Sequence, residues 1–440
     1  MKKLTVLLSL LLALVIVGQA AAGGNKAAAA PSGGAGPVEL SVAWWGGDAR
    51  HQKTLSMIDK YMAAHPNVKV VSQYAAYTDY WTKMATLAAA GNLPDVYLVQ
   101  LTYLAEYASK GLMRPLQDLI DAKKIDVSNF TQGALSGSSY NGKVVGITLG
   151  DTTACMVYDK TLLQKVGSPL PTDQMSYTQF AAFLKNLVPK LPKGSVAFIL
   201  NNNNEAAIEN FARNYGCYGV TSADGKQLGY TKDILTNYMN FYYDLFKSGV
   251  SGTMDVILDD RPKQFADSLS GKGQMAVWYT NVNQGKIFQA SVDDELGMAR
   301  YPVADNATHP NIEAAVCSTW GISGQSKHVD EAANFINEMV NNWDLQKIYD
   351  MDIGVPGSKV IQQNLLSQLD PNNKVDTLKG REVQLMQQIL NTIEPFNGRP
   401  SNYGAIVDDL WRKLDSVYAG NMTVQQAVDA HFTAAQTLLQ

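Results

Sequence analysis

Two hydrophobic rhythms alternate along this chain. Val38, Leu40 and Val42 stand in a short β-prone run ending in Trp44-Trp45, which predicts a first strand buried in a sheet. Gly46 and Gly47 break it. Leu55, Ile58, Tyr61 and Met62 recur at helical spacing up to His65-Pro66, and Val68 to Val71 resumes a strand. Tyr80, Met84, Leu87 and Ala88 repeat the helical pattern, Gly91 caps it, and Asp95 to Val99 reads as a third short strand. Strand, helix, strand, helix, strand predicts a parallel α/β lobe with right-handed crossovers.

Further on, a helix over Tyr103 to Ser109 ends at Gly111, and Asn141-Gly142 marks a hairpin because both turn positions favour positive φ. A strand over Ala154 to Tyr158 runs into Asp159 as a helix cap, and Ser176-x-x-Gln179 is a capping box opening a helix to Val188. Asn201 to Asn204 reads as a polar loop. Tyr238, Phe241, Tyr242 and Phe246 form a stripe at helical spacing that belongs in a core. Gly271 to Asn281 predicts a strand ending in an aromatic pair and an amide, Ala315 to Ser323 a strand bearing Trp320, and Lys327 to Asn341 a helix. Gly354-Val-Pro-Gly357 reads as a tight turn, and the remainder as helical apart from Glu394 to Tyr403.

The amino end has a different character. Lys2 and Lys3 precede the apolar run Leu4 to Val17 and then small residues, with Ala20-Ala21-Ala22 as a cleavage site, so residues 1–22 read as an export signal peptide. Residues 23–37 are Ala, Gly, Pro, Ser and Asn with a single Lys, a flexible tether. No later segment is long and apolar enough to span a bilayer. An exported, extracytoplasmic protein is expected.

Length and charge narrow the reading. A chain of 440 residues exceeds one typical core, which predicts two lobes. A net charge of −4 with no long Lys/Arg run excludes a nucleic-acid partner. Cys155, Cys217 and Cys317 are odd in number and form no C-x-x-C pair, so buried free thiols are expected, with one bridge between Cys155 and Cys217 left open. The five histidines, His51, His65, His309, His328 and His431, show no i, i+4 pair, and neither metal nor cofactor is expected. Gly137-x-x-x-x-Gly142-Lys143 has the spacing of a phosphate-binding loop but lacks the following hydroxyl, Val144 standing there, and it lies in a hairpin.

Chemistry-bearing residues gather after the predicted strands. Trp44, Trp45, Asp48, Arg50 and His51 follow the first, Tyr77 and Asp79 the second, Gln100, Tyr103 and Tyr107 the third. All fall at one edge of a parallel sheet, where open α/β sheets bind ligands. Neighbouring strand residues face opposite ways, so one tryptophan is expected inward and the other toward the crevice.

The order of these parts resembles the maltose-binding-protein-like extracellular solute-binding proteins of ATP-driven sugar importers. The likeness rests on Trp-Trp-Gly-Gly after the opening strand, "HPNVKV" at His65 to Val70, "AAAGNLPDV" at Ala88 to Val96 and "GITLGDTTACMVYDK" at Gly146 to Lys160. It also rests on "GKGQMAVWYTN" at Gly271 to Asn281, "GISGQSKHVDEAANFI" at Gly321 to Ile336 and "GVPGS" at Gly354 to Ser358. The resemblance implies an α/β, two-lobed, type II periplasmic-binding-protein-like clamp with a hinge. Residues 38–148 plus 311–342 would form the first lobe, and 149–310 plus 343–440 the second. Thr148 to Thr152 and the stretch near Ala314 would be hinge crossings. Trp278, Tyr279 and Asn281, with the segment from Asn397 to Tyr403, correspond to ligand-facing positions of the second lobe. The implied function is capture of an oligosaccharide by a monomer and its delivery to the membrane permease subunits of an ABC importer. Lipid-anchored members place a cysteine where this chain has Gln19, which speaks against an anchor.

A pyranose offers C–H faces that settle on aromatic rings and hydroxyls that need planar partners. Asp48, Arg50, Gln100, Asp151 and Asn281 suit the second task, while Trp320 divides between core and cleft wall. Arg50 and His51 suit a uronic carboxylate, Arg50 equally a structural ion pair. Two rival readings stand beside the importer. An exported carbohydrate-active enzyme needs two carboxylates roughly 5 to 10 Å apart, for which Asp48 and Asp151 are the candidates; neither H-E-x-x-H nor G-x-S-x-G occurs. The same clamp with a non-sugar solute is the other.

Overall fold

The computed structural model describes residues 37–440 except 174, 201–204, 223, 310–313 and 391–401. The expected signal peptide, nearly all of the tether, the Asn201 to Asn204 loop and most of the Asn397 to Tyr403 segment lie outside the described residues, as do the side chains of Thr102 and of 314–317.

The first part of the chain follows the two rhythms closely. Strand β1 (Val38–Trp45) leads into helix α1 (Asp48–Ala64), β2 (Val68–Ala75) into α2 (Tyr77–Ala89), and β3 (Val96–Val99) into α3 (Leu101–Ser109). β1 lies between β2 and β3 and is parallel to both, with Trp44 beside Tyr74 and Val42 beside Val96. The three carboxyl ends therefore share one edge. Gly91 and Gly111 end α2 and α3 in the left-handed region, at φ 68° and 67°, where a side chain would be strained.

Strands β4 (Ser139–Tyr140) and β5 (Lys143–Val144) form the expected hairpin, its turn residues Asn141 and Gly142 at φ 49° and 73°. The next strand corrects the sequence reading. Where the sequence predicts a strand over Ala154 to Tyr158, β6 runs without interruption from Gly146 to Asp159 and is buried throughout. Its early residues pair with β10 (Ala314–Ile322), and its later residues pair with β8 (Met275–Asn281) and β9 (Leu296–Ala299). Different partners on successive stretches keep the whole segment extended. β7 (Val196–Phe198) adds to β8 in parallel, giving the order β2-β1-β3-β10-β6-β8-β7 with β9 beside β6.

The sheet thus has two halves joined through β6 and β10, each with its own helices. Phe180, Phe198, Tyr238, Tyr242, Tyr279 and Tyr301 are fully buried in the second half, and Tyr238 and Tyr242 sit in the core as their helical spacing predicts. Asp159 caps its helix by accepting from Leu162 N at 2.7 Å, and the Ser176–Gln179 capping box is present.

A third passage between the halves occurs later than the expected boundary at 342. The helix Trp343–Tyr349 still packs on α1, with Lys60 paired to Asp344 at 3.3 Å. The chain crosses after it, from Asp350 to Ser358. This stretch is no tight turn. Val355 exchanges two backbone hydrogen bonds with Asp151, at 2.7 and 2.8 Å, and the backbones of Gly354 and Gly150 touch so closely that a Cβ on either would lie under 3 Å from the other strand. Only glycine fits that approach.

Candidate functional site

The shared edge of β1, β2 and β3 is built by what stops the strands. Gly46 and Gly47 carry the chain from β1 into α1, Gly47 remaining extended as the N-cap. A Cβ on Gly46 would collide with the Arg50 side chain at 2.7 Å. Asp48, the first residue of α1, is exposed at the positive end of the helix, a favourable place for a carboxylate.

Trp44 and Trp45 do point to opposite faces. Trp44 stacks on Tyr74 with ring centres 5.0 Å apart and meets His51 edge-on at 6.3 Å. Trp45 packs against Tyr80 at 5.4 Å and Trp81 at 5.5 Å. Neither, however, faces the crevice, since α1 and α2 cover the two faces and leave Trp44 only 1% and Trp45 only 6% exposed. The rings presented at the edge are Tyr74, 45% exposed, and Tyr77, 42% exposed. Tyr74 escaped the sequence reading. Its register opposite Trp44 at the end of β2 is the signal that marks it.

Tyr77 donates its hydroxyl to Gln100 Oε1, which joins the ends of β2 and β3. Tyr103 lies stacked on Trp81 at 3.7 Å behind them. Burial, with Tyr103 nearby, pushes the Tyr77 hydroxyl up to about 12, so it stays a proton donor at neutral pH. Tyr77, Gln100, Tyr103 and Asp48 are the sequence-expected residues that this edge brings together.

Other expected residues are placed elsewhere. His51 is buried against Tyr74, at 4.5 Å, with Nδ1 unpartnered; burial outweighs the attraction of Asp48 and lowers its pKa, which favours the neutral ring. The Nε of Arg50 donates to Asp352 Oδ2 at 2.6 Å, a structural ion pair. Asp151 is fully buried where β6 changes partners. It accepts from Thr148 Oγ1 at 2.9 Å, its Oδ2 has no partner, and burial pushes it up to about 7. It is a crossing residue, and Asp48, exposed, and Asp151, buried, do not form a dyad on one surface.

In the second half Asn281 ends β8 half-buried on the side of the crossing. Trp278 and Tyr279 are core residues. Trp278 packs with Phe265 at 5.9 Å and Phe288 at 6.4 Å, and Tyr279 with Tyr301 at 4.1 Å and Phe198 at 4.8 Å. Trp320 packs on Phe335 at 6.0 Å and is core as well. Trp278, Tyr279 and Trp320 are each 2% exposed or less. Tyr403 is buried, its hydroxyl donating to Glu209 Oε1. Asn283 binds the crossing from this side: Thr152 Oγ1 donates to its Oδ1 at 2.9 Å, and its Nδ2 donates to the Ile353 carbonyl at 3.3 Å.

Cys155 and Cys217 are free thiols. Among the described residues no group of three or more His, Cys, Asp or Glu side chains is arranged to hold a metal, and no helix is long and apolar enough to cross a membrane.

Residues 56–375 match the family model described as bacterial extracellular solute-binding protein. The fold is similar to that of an extracellular solute-binding protein family 1 member from Alicyclobacillus acidocaldarius, at 23% identity and TM-score 0.79, covering 92% of this chain and 100% of that one. It is also similar to a periplasmic oligogalacturonide binding protein from Yersinia enterocolitica, at 18% identity and TM-score 0.74, covering 91% and 99%. A cyclic alpha-maltosyl-1,6-maltose binding protein from Arthrobacter globiformis matches at 17% identity and TM-score 0.71, covering 92% and 99%. At these identities the likeness establishes the two-lobed fold.

Proposed function

Because the chain belongs to the bacterial extracellular solute-binding proteins, we propose that it captures an oligosaccharide between its two lobes and hands it to the membrane permease subunits of an ABC importer. The observation that carries this reading is the rim at the ends of β2 and β3. Two half-exposed rings, Tyr74 at the end of β2 and Tyr77 at the start of α2, lie at this edge, where Tyr77 bonds an amide, Gln100, and α1 opens with an exposed carboxylate, Asp48. Rings take the C–H faces of a pyranose, and the amide and carboxylate take its hydroxyls. Charged acceptors give the stronger bonds. Asn281 is assigned to the opposite wall, at the end of β8.

In this reading β6, β10 and the Asp350 to Ser358 stretch are the hinge, and a sugar touching both walls gains its full contacts only when they close. Three structural neighbours support the cargo class by what they bind: oligogalacturonide, cycloalternan, and cyclic alpha-maltosyl-1,6-maltose. A carbohydrate-active enzyme fits less well, since Asp151 is buried and Asp48 exposed, so the two candidate carboxylates share no surface.

The test is thermal unfolding of residues 37–440 against a panel of neutral and uronate oligosaccharides, with each sugar recovered and sized afterwards. A binder raises the transition by mass action. A rise with intact sugar is the expected result. Cleaved sugar would point to the enzyme, and no rise across the panel to a different solute.

A further inference from the structure

The third passage between the lobes carries an arrangement that sugar binding alone does not call for. Asp350 and Met351 are consecutive non-glycine residues in the left-handed region, at φ 53° and 55°. Non-glycine residues persist in that region only where their surroundings hold them there. The surroundings are four cations. On one side, Lys379 Nζ lies 2.7 Å from Asp350 Oδ1, and Lys286 Nζ lies 3.7 Å from Asp350 Oδ2 while also donating to the Asp350 carbonyl. On the other, Arg50 Nε and Lys53 Nζ meet Asp352 at 2.6 and 3.5 Å, and Lys53 also donates to the Tyr349 carbonyl at 3.3 Å.

The two pairs of cations come from opposite lobes. Arg50 and Lys53 stand on α1, Arg50 in its first turn beside the rim residue Asp48. Lys286 and Lys379 stand on the helices Gly285–Gln289 and Lys374–Leu390, which pack against each other, the latter also against β9, in the second half. Between their targets lies one residue, Met351, buried at 1% exposure. The ion pairs are partly shielded from water, with side-chain exposures from 9% to 40%, so salt screens them only in part.

We propose that Asp350-Met351-Asp352 is an ionic tie that fixes the angle between the lobes and sets how readily the clamp opens. Arg50 is then a positioning residue, acting on the sugar site through the tie. The proposal rests on the two-lobed clamp but not on the identity of its cargo. Links in series fail together: releasing either end removes this restraint, so loss of both ends adds nothing further.

The experiment is small-angle X-ray scattering of ligand-free protein, residues 37–440, for wild type, Asp350→Asn, Asp352→Asn and the double variant, at low and high sodium chloride. Asparagine keeps the shape and tolerates the left-handed backbone. Each single variant should show a larger radius of gyration, the double variant the same value as the singles, and wild type should move toward them at high salt. Circular dichroism identifies any variant that fails to fold, in which case the salt series on wild type and the milder Arg50→Gln decide the question. Folded variants that scatter like wild type at every salt concentration, or a double variant with summed effects, would overturn the tie. Because no sugar is added, a failed sugar panel leaves this result readable by itself.

Discussion

Tyr77 donates its hydroxyl to Gln100 Oε1, and that bond fastens the ends of two parallel strands into one rim. Removing the ring and removing the bond should therefore have different effects. Tyr77→Ala is expected to weaken binding of the sugar identified by the panel by about tenfold or more, since an aromatic contact and its burial are both lost. Tyr77→Phe keeps the ring and loses one hydrogen bond, worth about 1 kcal/mol, or roughly fivefold. Isothermal titration calorimetry separates the two, and equal losses would mean that the ring touches no sugar.

Asp151 predicts a pH dependence of stability. Its carboxyl is held up to about 7 by burial, against an ordinary value of 3.8. An acid whose pKa is raised on folding binds more protons in the folded state, so its contribution is complete below about pH 4 and is lost as pH rises through 7. Asp151→Asn cannot ionise. The advantage of the variant over wild type should be larger at pH 8 than at pH 5 by about 2 to 3 kcal/mol. Urea unfolding at the two pH values measures this, and an equal effect at both would show that Asp151 does not titrate with folding.

Gly150 and Gly354 predict a steric effect at the same crossing. A Cβ on Gly354 would sit 2.7 Å from the Asp151 carbonyl oxygen, and one on Gly150 2.8 Å from that of Gly354. Backbone atoms cannot swing aside. Gly354→Ala should cost about 2 to 3 kcal/mol by overpacking. At Gly357 the clashing atoms are the side chains of Phe130 and Thr148, both at 2.7 Å, so Gly357→Ala should cost less. Denaturant midpoints give the comparison.

Trp278 and Trp320 divide stability from binding. Both are buried among aromatic neighbours, and Trp→Ala at either should cost about 3 to 5 kcal/mol. Sugar affinity measured on the folded fraction should stay within about twofold, because neither ring reaches the rim. A selective loss of affinity without loss of stability would return them to the cleft wall.

The parts of this fold that were legible are those with a local cause. The Asn141-Gly142 turn, the caps at Asp159 and Ser176, and the α1 and α2 periods each follow from chemistry within a few residues. The strand expected over Ala154 to Tyr158 reaches back to Gly146 because β10 on one stretch and β8 on the next hold it extended, pairings that local sequence does not show. β7 and β9, at three and four residues, are too short to show a period. At the shared edge, Tyr77, Gln100 and Asp48 were legible as edge residues because strand ends in a parallel sheet lie together. Trp44, Trp45, Trp278, Tyr279 and Trp320 were misassigned because local order cannot reveal how completely a strand residue is buried. Tyr74 was missed because its place is set by the neighbouring strand, through register with Trp44.

The position of β10 bears on when the fold can form. β3 and the early part of β6 both lean on a strand that is synthesised only after β6, β7, β8 and β9. Until then β3 and the early part of β6 lack a neighbour, and distant pairings of this kind form slowly because the intervening loop must close first. A nascent chain therefore stays open until most of it exists. The strand order that joins the lobes therefore places the last central pairing of the sheet late in the chain.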